Sequence, residues 1–156
     1  MLHLGAIEID DIATALSDQM DYEHRWLIDP RTGRIDFWTS DTGIDGQNPI
    51  DLDEVVLLPI DPLPSHVWYA DMADFTCGIS DDAARRRLTR ALSGRGAFRH
   101  FKNELHQEYP ELVSLWHAFR DARAQRRAVG WLLDQELISE AAADGFVVDH
   151  PDPALP

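Results

Sequence analysis

The stretch "SGRGAFRHFKNEL" (93–105) sets Arg95, Arg99 and Lys102 at i, i+4 and i+7, one face of a single helix. Phe98, Phe101 and Leu105 occupy another face and are expected to point inward. Gly94 and Gly96 relieve steric restriction at the helix start, where free backbone N–H groups attract anions. Such a device could clamp a phosphate or a carboxylate, with arginine supplying bidentate donors. A plainer account stands beside it: Gly94 ends one helix, Gly96 lets backbones pack closely, and the cations meet acidic neighbours. The lysine does not follow the G-x-x-x-x-G-K-[ST] order of a P-loop.

Further cations follow the same spacing. Arg86 and Arg90 share a face in "RRRLTR" (85–90), as do Arg120, Arg123 and Arg127 in "RDARAQRR" (120–127). A basic bundle face with His100, Phe98 or Trp116 available for stacking could contact nucleic acid, although such runs are usually solvated or paired.

Other chemistry is thinly represented. His100 with Glu104 and His117 with Asp121 are i, i+4 pairs, but no H-E-x-x-H or paired Cys/His spacing accompanies them, so no metal site is expected. No G-x-S-x-G elbow or dinucleotide fingerprint is present, and Cys77, between Phe75 and Ile79, is expected to be a buried, inert thiol. No catalytic residue and no cofactor are assigned.

Charge sharpens these readings. The 156 residues carry a net −14, unevenly spread. Residues 1–80 hold 3 basic and 16 acidic side chains, residues 81–129 hold 11 and 6, and residues 130–156 hold none and 6. So acidic a surface repels polyanions at long range, which argues against general binding to nucleic acid or anionic membranes. The basic middle either binds an anion locally or pairs with the acidic part of its own chain. No apolar run approaches the roughly 20 residues that span a bilayer, and "MLHLGAIEIDDIA" lacks the basic start of a signal peptide. With a single cysteine, the expectation is a cytoplasmic protein.

The elements that must position the cations can be read from periodicity. "EIDDIATALSDQ" (8–19) predicts a helix with Ile9, Ile12, Ala13 and Leu16 on one side. "YEHRWLIDPRTGRIDFWTS" (22–40) predicts a β-hairpin turning at Asp29–Gly33, and "DEVVLLPI" (53–60) a third strand. Pro59, Pro62 and Pro64 should end the sheet. From Ser65 the period becomes helical, with Val67, Trp68, Met72, Phe75 and Ile79 to one side. Ser80 is expected to cap "DDAARRRLTRAL", and Pro110 to open a long helix striped by Leu112, Leu115, Trp116, Phe119, Ala122, Val129, Leu132 and Leu133. "ISEAAADGF" adds a final turn of helix, and the proline-rich tail "VVDHPDPALP" should fray.

The sum is α+β: an N-terminal helix and a small three-stranded antiparallel sheet, followed by a C-terminal helical bundle. One domain is expected over 1–138, with 139–156 as a C-terminal extension whose last residues are flexible.

In this order, "RWLIDPRTGRI", "GRGAFRHFKNEL" and "LWHAFRDAR…AVGWLLDQELI" resemble the uncharacterised bacterial family UPF0158. That family has a "WLD-x-x-TG-x-v" hairpin, a "GRGAFRRFKD" segment, then "W-x-x-F-R" and a "WL" helix end. The resemblance spans roughly residues 7 to 138, departs at His100 and Asn103, and brings no established activity.

The functional expectation is a non-catalytic interaction or regulatory module. Its surface would be Gly94, Arg95, Gly96, Arg99 and Lys102, completed by Arg120 and Arg123 if the helices pack side by side. Its partner would be another protein or a second copy. The alternative is nucleic-acid or nucleotide-phosphate binding through the same face, and a small hydrolase stands third.

Overall fold

Asp10 and Asp11 open helix α1 (Ile9–Ser17), where their charges complement the free N–H groups of the first turn. The computed structural model describes residues 1–19, 23–51 and 56–156. Its class is α+β, and it comprises two compact units: residues 1–63 with 124–149, and residues 64–123 with 150–156.

In the first unit, α1 buries Ile12, Ala13, Ala15 and Leu16, leaving the expected Ile9 half-buried at its first turn. Strands β1 (His24–Ile28) and β2 (Ile35–Thr39) form the expected hairpin, with Trp26 opposite Phe37. Asp29 shapes the turn: its carbonyl accepts from the Gly33 N–H at 2.8 Å, and its carboxylate accepts from the Arg31 N–H at 2.9 Å. The hydrogen bonds from the Arg31 side chain and backbone hold the Asp29 carboxyl below the usual carboxylate range.

Strand β3 (Leu58–Ile60) pairs antiparallel with the other side of β1, giving the order β2-β1-β3. It is shorter than the predicted 53–60; of that stretch, residues 53–55 lie outside the described residues. Pro59 does not end the sheet: it sits inside β3, opposite Leu27. An edge strand tolerates proline because its missing N–H can face outward.

Two indoles find acceptors here, which lets large rings pack without an orphaned donor. Trp26 Nε1 donates to Asp18 at 3.1 Å, and Trp38 Nε1 to the Ile50 carbonyl at 2.8 Å. Helix α5 (Val113–Asp134) contributes its second half to this unit, burying Ala128, Val129 and Leu132. It ends at Asp134, and two residues on Glu136 adopts φ +59° as the chain turns away. Helix α6 (Glu140–Asp149) follows and is longer than the single turn expected.

In the second unit, α2 (Ser65–Cys77) is the core helix. Phe75 makes edge contacts with Trp116, Phe119 and Phe101, at ring-centroid distances of 5.3, 5.5 and 6.4 Å. Each such aromatic pair adds about 1 kcal/mol beyond burial itself. Met72, Ile79, Leu88, Leu92 and Leu105 complete the cluster.

Cys77 is exposed, not buried as expected. It follows Phe75 by two residues, about 200° around the helix, so the two side chains face opposite ways. Helix α3 (Asp82–Ala91) is capped by Asp81 rather than Ser80: the Asp81 carboxylate accepts from the N–H groups of Ala83 at 2.9 Å and Ala84 at 3.3 Å. The Ser80 N–H instead donates to the Pro156 carbonyl at 2.8 Å. Helix α4 (Ala97–Glu108) and a 3-10 turn (Pro110–Leu112) lead into α5.

Phe98, expected inward, is 47% exposed. It lies in the first turn of α4, at the rim of the apolar arc that Phe101 and Leu105 define. Along the tail 150–156, Leu155 packs against the core cluster and against Gly78. Among the described residues, no helix is long and apolar enough to cross a membrane.

Candidate functional site

Two glycines aim the cations. Gly94 and Gly96 take φ of +81° and +74°, a left-handed conformation that side-chain-bearing residues adopt only with strain. Gly96 is the N-cap of α4, and its carbonyl accepts the His100 N–H at 2.9 Å. A Cβ added there would stand 3.6 Å from Arg99 Nη2 and 3.5 Å from the His100 ring, at ordinary contact distance, so those side chains border the turn. Arg95, between the glycines, is exposed, as are Arg99 and Lys102.

Pairing separates the basic residues into two classes. Arg25, Arg31, Arg34, Arg85, Arg87, Arg120 and Arg123 each have a carboxylate partner, and Arg126 and Arg127 are engaged as well. Arg86, Arg90, Arg95, Arg99 and Lys102 have none among the described residues, and all five are exposed. Every one of them falls on α3, on α4 or on the turn between. In a chain of net −14, this local excess of cations is left open among the described residues.

The two α5 cations are used differently. Arg120 Nε pairs with its neighbour Asp121 at 3.1 Å. Arg123 reaches Asp71 at 3.5 Å, Asp74 at 2.5 Å and Asp152 at 3.2 Å, and its guanidinium stacks over the Phe119 ring at 4.6 Å. Burial alone would lower the Arg123 pKa; hydrogen bonds to Asp152 and Asp74 outweigh it and hold the cation fully charged. Arg123 is thus engaged within its own unit. Gly94, Arg95 and Gly96 form the turn ahead of α4, off the helix face expected for Arg95, and Arg99 and Lys102 continue the exposed basic strip on the helix itself.

Beside that strip runs a groove of about 360 Å³. Arg87, Arg90 and Ala91 of α3 line one wall; His100, Asn103, Glu104 and Gln107 of α4 line the other. Arg87 Nε bridges to Glu104 at 2.7 Å and Nη1 to Glu108 at 3.5 Å, tying α3 to α4. Desolvation works against the Arg87 charge, but these two carboxylates more than offset it and raise its pKa. The groove therefore offers hydrogen-bond donors together with acceptors, the Asn103 and Gln107 amide oxygens and the Glu104 carboxylate, within a rim of free cations.

Residues 100, 103, 104 and 107 recur at i, i+3, i+4 and i+7, so the groove wall was present in the sequence as a polar helix face. What was missing was the partner helix. The two histidine pairs do not stand free for a metal, since Glu104 is held by Arg87 and Asp121 by Arg120.

The family model described as "Uncharacterised protein family (UPF0158)" matches residues 6–153, and so continues well past Ile138. A relative in Pseudomonas aeruginosa, "UPF0158 protein PA5073", is 35% identical over 100 residues, which cover 64% of each chain. The match thus spans less than two thirds of that relative's length. No solved structure matches.

Proposed function

The chain belongs to the uncharacterised family UPF0158, and from that premise we propose that it is a non-catalytic interaction module whose basic α3–α4 face docks an acidic protein partner. One observation carries the reading: Arg86, Arg90, Arg95, Arg99 and Lys102 are all exposed, and none has a carboxylate partner among the described residues. Phe98, exposed within the same strip, supplies an apolar contact, and arginine with aromatic side chains commonly anchors interfaces. Complementary charge steers association and fixes orientation more than it adds affinity, so a small patch suffices for a specific, salt-sensitive encounter.

Capture from a nuclease-treated extract tests this. The wild-type chain should retain a defined protein at low salt, and Arg99→Glu with Lys102→Glu should lose it. Retention unchanged by the double charge reversal would sink the reading.

Phe98 beside Arg95, Arg99 and Lys102 also suits a single-stranded nucleic acid, by stacking combined with phosphate pairing. The acidic remainder of the chain weighs against it, because a polymer running past the patch meets like charge.

A further inference from the structure

We propose that the occupant of this face is an extended acidic peptide segment, with its backbone in the α3–α4 groove and its carboxylates on the flanking cations. The inference rests on the interaction reading above and names its ligand. Three features point to polypeptide rather than to a phosphate polymer.

First, the groove is mixed in character. Arg90, His100, Asn103 and Gln107 bring donor groups, while the Glu104 carboxylate, fixed by Arg87, keeps lone pairs facing the same space. A peptide backbone carries donors and acceptors in alternation and can use both. A phosphodiester backbone carries only acceptors and has no donor to offer Glu104. Second, the free cations border this groove on the same helices. Arg99 precedes Asn103 by four residues, so the two neighbour each other on α4, and Arg86 stands likewise to Arg90 on α3. Third, Phe98 is the one exposed Phe, Tyr or Trp on α3 and α4, whereas stacking platforms for bases use aromatics in succession.

Length sets the footprint. Twelve residues make α4 roughly 18 Å long, which an extended segment of about five or six residues matches. A footprint that short holds two or three carboxylates, in keeping with five cations spread over two helices.

Fluorescence anisotropy with a labelled octapeptide of glutamate around a central leucine tests the assignment at about 50 mM salt. A labelled twelve-nucleotide oligo-dT serves as the competing probe. The expected result is peptide binding that weakens about tenfold or more with Arg99→Glu and Lys102→Glu, and severalfold with Arg90→Ala and Gln107→Ala. These positions are exposed, and circular dichroism of each variant confirms that it is folded. Tighter binding of oligo-dT than of peptide overturns the proposal and gives the face to nucleic acid. No peptide binding at low salt overturns it as well. Sensitivity to the Arg99 and Lys102 reversals without sensitivity at Arg90 and Gln107 removes the groove while leaving the interaction reading intact. A wild-type chain that is already dimeric through this face, and monomeric on charge reversal, makes the occupant a second copy and ends the peptide assignment.

Discussion

Arg123 stands 3.5 Å from Asp71, a carboxylate whose side chain keeps only 3% of its surface exposed. Removing the cation takes a charge partner from a carboxylate that stays desolvated, the costlier half of such an exchange. Arg123→Ala should therefore destabilise the protein by about 3 kcal/mol, read from denaturant unfolding. Replacing Arg123 and Asp71 together with apolar residues of similar volume should recover much of that loss. An Arg123→Ala variant as stable as wild type would show that the network contributes nothing.

Gly78 and Leu155 set a steric test. A Cβ at position 78 would lie 2.3 Å from Leu155 Cδ1, closer than real side chains allow. Gly78→Ala should cost about 1–2 kcal/mol through overpacking of this contact. In a Leu155→Ala background the same substitution should cost little, and the double-mutant cycle measures the difference. Equal costs in both backgrounds would mean that the tail does not rest on Gly78.

Glu136 holds φ +59° just past the end of α5, where the Leu137 N–H reaches back to the Leu132 carbonyl at 3.0 Å. This is the helix-ending position that glycine fills without strain. Glu136→Gly should raise stability by about 1 kcal/mol, visible as a higher Tm, and Glu136→Ala should not.

Asp29 and Asp45 respond to acid in a known direction. Both carboxyls are held below their ordinary values in the folded chain: Asp29 by the Arg31 side chain and backbone, Asp45 by the backbone N–H groups of Asn48 and Gln47. A group whose folded pKa is depressed stabilises above the ordinary carboxylate value. That stability is lost as the pH falls from there through the lower folded value. Unfolding followed below about pH 4 should thus show a shallower decline in an Asp29→Asn, Asp45→Asn variant. A variant that declines as steeply as wild type rules these two carboxylates out as contributors.

How far the sequence carried the structure depended on how local each signal was. The hairpin was legible because Asp29, Pro30 and Gly33 set the turn within a few residues of each other. The placing of Arg99 and Lys102 was legible because helical spacing alone defines a face. Arg95, expected on that face, lies in the turn ahead of α4, where helical spacing does not apply. Phe98 and Cys77 depart from expectation for one reason: an apolar residue type predicts an inward side chain, but their angular positions lie at the rim of the core face or behind it. Asp81 displaced Ser80 as the cap of α3 because Ser80 is engaged with Pro156, 76 residues further along the chain. No local pattern reports that contact. The groove and the Arg87–Glu104 bridge need two helices side by side, and the Arg123 network joins positions 71, 74 and 152, so neither could be read from spacing.

The crowding of free cations between Arg86 and Lys102 also bears on how the molecule meets a charged matrix. A chromatography resin responds to the face presented to it, not to the total of the titration curve. A chain of net −14 with one open cationic strip carries a retention handle of each sign. At neutral pH and low salt it will be delayed on a sulfonate column that its overall charge says should exclude it, and charge reversal at Arg99 and Lys102 will abolish that delay.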